Sequence, residues 1–143
     1  MNSKRFIIGF LVVVALIGAV SIYVAATTER AARSITALAS PDAKLKAVKT
    51  TLSSTGTAPF CFDTIVVLPT IYPDDFHENR DAYEVYAAPC GRFADGAPSP
   101  KIEWLSATSL RITSAPHPAN AKNVRMKDID ITKTVHVTFV ERE

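Results

Sequence analysis

The sequence predicts a single N-terminal transmembrane α-helix followed by a small, mostly-β, sandwich-like antiparallel domain with one disulfide. Three observations predict it. Residues 6–26 form an uncharged, proline-free apolar run. From about Thr50 onward, Thr, Val, Ile, Phe and Tyr cluster in short runs broken by Pro, Gly, Asp and Ser. The chain's two cysteines, Cys61 and Cys90, both fall in that second region.

The 143 residues suffice for one folded domain. The apolar run is FIIGFLVVVALIGAVSIYVAA, 21 residues long. As a helix it would extend about 31 Å, against about 30 Å of membrane hydrocarbon. A secretory signal peptide is the competing reading, with Val24-Ala25-Ala26 as its cleavage site. The run is longer than a signal core, which favours a retained anchor. Lys4 and Arg5 in the short tail 1–5 place the N-terminus in the cytoplasm. The remainder is then exported. The expected location is a bacterial inner (cytoplasmic) membrane, with the C-terminal domain periplasmic or otherwise extracytoplasmic. The membrane, through 6–26, is the first expected partner. Ala15 and Ala19 beside Gly18 would let a second helix approach, so a membrane-protein partner is also expected.

The net charge of +2 comes entirely from Lys4 and Arg5; residues 27–143 hold 14 basic and 14 acidic side chains. A neutral exported part lacks the basic excess of a nucleic-acid binder, so that class is set aside.

Residues 27–40, TTERAARSITALAS, are rich in good helix formers and predict a juxtamembrane helix ending before Pro41. Residues 41–49 read as a connector, and 50–143 as the exported β domain. Thr64–Leu68, a continuous apolar run, predicts a strand buried on both faces. Ala82–Ala88 predicts a second strand, and Gly91–Pro100 a loop. Ile102 and Trp104, then Leu110 and Ile112, alternate with polar residues around a short turn and predict a hairpin. Pro116 and Pro118 mark a loop over 115–123. Ile129, Ile131, Val135, Val137 and Phe139 fall on odd positions, and predict a half-exposed strand from about Thr134 to Val140.

Cys61 and Cys90 lack redox or zinc-ligand spacing, and an exported domain is oxidised, so a structural disulfide is expected. Closing a loop of that length is worth about 3.5 kcal/mol. An immunoglobulin domain would place its tryptophan between the cysteines, whereas Trp104 follows both.

Between the cysteines lie six carboxylates and one arginine. Asp74, Asp75, Glu78 and Asp81 gather in one turn and are the candidate partner or ligand surface. A divalent cation could use these oxygens, although no EF-hand glycine is present. His77, His117 and His136 are scattered, and no Gly-x-Ser-x-Gly or Ser-x-x-Lys occurs. No catalytic residue, metal ligand set or cofactor is therefore assigned.

Ile102-Glu103-Trp104-Leu105-Ser106, followed by Leu110-Arg111-Ile112, resembles a V/I-x-W-L-S … L-x-I hairpin in small uncharacterised bacterial exported proteins. Those join an N-terminal anchor or lipid-attachment signal to a short β domain. The resemblance implies such a domain over about 60–140 and no activity. The lipoprotein form needs a cysteine after the apolar run, where Thr27 and Thr28 stand here. The functional expectation is a non-enzymatic, membrane-anchored interaction or accessory protein, as a subunit of a membrane complex. A small-ligand or divalent-cation sensor using residues 73–81 is the alternative.

Overall fold

The computed structural model describes residues 31–55, 58–76, 80–117 and 121–143, together with Val14, Ile17 and Gly18. Among the described residues no helix is long and apolar enough to cross a membrane. The expected span at 6–26 lies outside them apart from those three positions. Residues Ala31–Glu143 form one compact unit.

The first sheet contains β1 (Ala32–Ala39), β2 (Leu45–Ser54), β3 (Phe60–Pro69), β4 (Glu84–Pro89) and the short β9 (Arg125–Met126). Their order is β1-β2-β3-β4-β9, and every neighbouring pair is antiparallel. A four-residue helical turn, α1 (Arg80–Tyr83), leads into β4. The second sheet holds β7 (Lys101–Ser106), β8 (Ser109–Ser114) and β10 (His136–Glu141) in the order β10-β8-β7. A small hairpin of β5 (Gly91–Arg92) and β6 (Pro98–Ser99) connects the sheets in sequence, across the stretch expected to be a plain loop.

Residues 32–39 are a strand, not the expected juxtamembrane helix. Alanine favours helix by only tenths of a kcal/mol per residue, which tertiary pairing readily overrides. Here eight consecutive residues pair with β2, and Ile35 packs against buried Val48, Val66 and Leu68. The expected connector at 41–49 is likewise half strand. Ser40 closes a tight turn, donating its N–H to the Leu45 carbonyl at 2.8 Å. β2 then begins at Leu45, and Ala47 and Val48 are fully buried. The β domain thus starts near residue 31 rather than 50.

β3 is buried on both faces, as its apolar run predicts: Ile65, Val66, Val67 and Leu68 are all buried. Ile65 and Val67 face the second sheet and pack with Ala47, Val85, Tyr86, Leu110, Ile112, Val135 and Val137. A register shift beside Ile65 and Val66 places the adjacent Val85 and Tyr86 in the same core. Trp104 lies against this core, and its Nε1 donates to the Leu38 carbonyl at 2.9 Å, tying β7 over β1.

The hairpin of β7 and β8 pairs Ile102 with Ile112 and Trp104 with Leu110, as the alternation predicts. The last strand also forms, but beside β8 in parallel. The domain is therefore mostly, not wholly, antiparallel. Side-chain alternation fixes which face a strand buries and is silent on its direction. The odd-position pattern also breaks at Ile131, which is exposed. Asp130 turns the chain there. Its carboxylate, 3% exposed, accepts the N–H groups of Thr132, Thr134 and Val135 and the Thr132 hydroxyl. Burial alone would push its pKa up, but these four donors together hold it below the usual carboxylate value.

The expected disulfide joins Cys61 and Cys90. It links the start of β3 to the residue after β4, where Cys90 also donates its N–H to the Cys61 carbonyl at 3.1 Å. Replacing both cysteines by alanine is expected to cost about 2–4 kcal/mol, read as a lower urea midpoint with an unchanged far-ultraviolet spectrum before denaturant.

Tyr86 is almost fully enclosed, and its hydroxyl lies 3.1 Å from His117 Nε2. Burial, with the Asp63 charge in support, pushes its pKa up to about 12. A raised phenol pKa means the folded state retains its proton longer than the unfolded chain, whose tyrosine titrates near 10. This contribution is complete below pH about 10 and is lost as pH rises toward 12. Tyr86→Phe should flatten the fall of stability in that window, measured by urea unfolding at several alkaline pH values.

Candidate functional site

The acidic stretch between the cysteines folds back over the outer face of the first sheet. After β3 the backbone tightens twice, with Tyr72 N–H on the Pro69 carbonyl and Phe76 N–H on the Pro73 carbonyl, each at 3.1 Å. Tyr72 stacks on Phe76 with ring centroids 4.5 Å apart, and Phe76 meets Tyr83 edge-on at 6.0 Å. Phe76 and Tyr83 pack with Ile35 on Val48, Val66 and Leu68. The turn is thus an aromatic cover on a second, smaller core.

Its described carboxylates face cations of the chain. Asp74 Oδ1 accepts from Lys46 Nζ at 2.5 Å, and the same ammonium donates to the Tyr72 carbonyl at 2.6 Å. Lys46 is only 8% exposed, so this pair fixes the cover to β2. Asp75 is exposed and its charge acts on Arg80. Asp81 is also exposed and acts on Arg125, while its backbone carbonyl accepts from Lys127 Nζ at 3.0 Å. Glu78 and His77 lie outside the described residues. Among the described residues no group of three or more His, Cys, Asp or Glu is placed to hold a metal ion. The sequence groups these acids by proximity in the chain. Arg80 belongs to the same stretch, whereas Lys46 and Arg125 come from other strands and meet the acids only through pairing across the sheet.

Beside the cover, the same sheet face carries an open cleft of about 320 Å³ lined by Arg33, Thr50, Leu52, Thr64, Arg80, Asp81, Glu84 and Arg125. Glu84, 6% exposed, is gripped by Arg125 through two bonds of 2.7 and 3.0 Å. That hydrogen-bonded pairing, with the Glu84 charge, raises the pKa of Arg125. Arg80 donates to Thr50 Oγ1 and, at 3.1 Å, to the Phe76 carbonyl. Burial first, and the neighbouring Arg33 charge second, lower the pKa of Arg80.

A second cleft, of about 520 Å³, opens on the inner face beside the disulfide, between β2, β3 and the β5–β6 hairpin. Its wall includes Asp63, 2% exposed, whose Oδ1 accepts from Thr51 Oγ1 and lies 3.7 Å from Lys49 Nζ. Lys49 also donates to the Pro100 carbonyl at 3.3 Å. These groups satisfy one another where the apolar inner core ends.

The remaining feature is the free edge of β1. Ser40 bonds to Leu45 on one side, and Lys44 accepts from Thr70 on the other. Those two bonds set the phase of the antiparallel ladder. Leu38, Thr36 and Ser34 direct their backbone groups to β2, and Ala39, Ala37, Ile35 and Arg33 direct theirs to the open edge. Apart from Ile35, every residue of β1 is exposed.

Comparison with protein-family models, curated proteins and solved structures returns no match.

Asp74→Asn should strip Lys46 of its counter-ion while leaving it buried, at a cost of about 1–3 kcal/mol. Asp75→Asn, at an exposed and unbonded position, should change stability by less than about 0.5 kcal/mol. Urea midpoints of the two variants test the contrast.

Proposed function

We propose that the chain is a non-enzymatic interaction or accessory protein, anchored in a bacterial cytoplasmic membrane through residues 6–26. Its β domain is displayed on the extracytoplasmic side and docks an extended segment of a membrane-protein partner. The observation that supports this reading most directly is the free edge of β1. Among the described residues β1 is an edge strand, and eight residues with no proline, one charge and a row of N–H and C=O groups turned away from β2 are a template for strand addition. Soluble domains usually blunt such an edge with lysine, proline or a bulge, and β1 uses none of these along its length. The Cys61–Cys90 disulfide supports an oxidising compartment, and the charge asymmetry around 6–26 supports the orientation.

The phase of the ladder makes the reading testable. The Ala37 N–H points to the open edge, so Ala37→Pro removes no bond to β2. The Thr36 N–H belongs to the β1–β2 ladder, so Thr36→Pro should cost about 3 kcal/mol or more. With the full chain extracted gently from its native membrane, Ala37→Pro is expected to leave the melting temperature nearly unchanged and to lose the partner that co-purifies with the wild type. A strictly monomeric wild type, or a partner retained by Ala37→Pro, would remove the reading.

A further inference from the structure

We infer that the outer-face cleft beneath α1 is an oxyanion site, in which the Arg33 and Arg80 guanidiniums together hold one phosphate or carboxylate group. The two arginines are 47 positions apart, and the fold brings them to one cleft from β1 and α1. Neither forms an ion pair among the described residues. Among the described residues no hydrogen bond or ion pair engages the Arg33 side chain. Arg80 donates only to neutral oxygens, those of Thr50 and Phe76.

The nearby carboxylates are otherwise disposed. Both oxygens of Glu84 are taken by Arg125. Asp81 also lines the cleft, but its charge acts on Arg125, and that of Asp75 acts on Arg80; both are exposed, and neither bonds a guanidinium. Both guanidiniums thus line one open cleft, where the Arg33 charge acts on Arg80, an arrangement that disfavours the empty site. An oxyanion accepting from both forks converts that repulsion into two charge-assisted pairs. The Arg125–Glu84 pair walls one end, so the anion seats nearer β1. Leu52, 38% exposed, offers a small apolar floor beside it.

This site is distinct from the β1 edge, and its occupancy does not depend on strand addition. The test uses the full chain in zwitterionic detergent micelles, with thermal unfolding followed during titration with inorganic phosphate and, separately, acetate. A third arm dopes the micelles with phosphatidylglycerol, which offers the same phosphate chemistry from a lipid headgroup. Saturable stabilisation by a soluble anion supports a free ligand; saturation only by the doped lipid supports a headgroup.

Arg33→Gln should weaken that binding by about tenfold or more. It should also raise the melting temperature of the anion-free protein, because it relieves Arg80. Arg33→Lys should restore part of the affinity. Absence of saturation in all three arms would overturn the inference, as would binding that Arg33→Gln leaves intact. A lower anion-free melting temperature for Arg33→Gln would also count against it, since Arg33 would then stabilise the fold by itself.

Discussion

The rest of the domain depends on one constraint: β3 is apolar on both faces. Ile65 and Val67 point one way, Val66 and Leu68 the other, and all four are buried. A sheet centred on such a strand cannot leave either side to water. Burying side chains of this size is worth about 1.5–3 kcal/mol each, so both covers are strongly favoured. The chain supplies them by different means. The second sheet covers the inner face with Leu110, Ile112, Val135 and Val137. Among the described residues the outer face receives the connection between β3 and β4, too short for a third sheet, and that connection lays Tyr72, Phe76 and Tyr83 over it.

The disulfide follows from the second of these solutions. Phe76 and Tyr83 belong to the connection between β3 and β4, Tyr83 as the last residue of α1. Tying Cys61 to Cys90 fixes the two strands from which that connection springs. Lys46 then fastens it from beneath through Asp74 and the Tyr72 carbonyl. The carboxylates that resemble a ligand cluster in the sequence are, at Asp74, part of this fastening. At Asp75 and Asp81 they answer arginines on the same sheet face. Arg33, at the strand edge, is left without such an answer.

How far the sequence could be read depends on how local each determinant is. The β3 run, the β7–β8 hairpin and the final strand are written in contiguous patterns, and all three form. β1 and the start of β2 are not, because Ala, Arg, Leu and Lys also suit helix. What makes them strands is pairing with one another and with β3, together with Ile35 resting on Val48, Val66 and Leu68. The parallel pairing of β10 with β8 has no local signature at all. Ile131 misleads because Asp130 draws three backbone N–H groups onto one carboxylate and turns the chain out of register. The disulfide was legible from the number and spacing of the cysteines, and the acidic turn, with Arg80 inside it, from composition. The cations Lys46 and Arg125 that partner this turn were not, since they reach it only through the fold.

The place of β10 in the second sheet also bears on how the domain is completed. β8 lies between β7 and β10, and β10 is the last strand of the chain. Its ends are sealed by His136 N–H on the Thr108 carbonyl and Arg142 N–H on the Ser114 carbonyl, each at 2.9 Å. A polypeptide emerging N-terminus first can therefore assemble β1 to β4 and fasten their outer cover while β8 still has an open flank. Leu110 and Ile112 gain Val137 and Phe139 as neighbours only when β10 is in place. Completion of the inner core therefore waits for β10, and a product that lacked this strand would keep an unsealed sheet rather than a smaller finished domain.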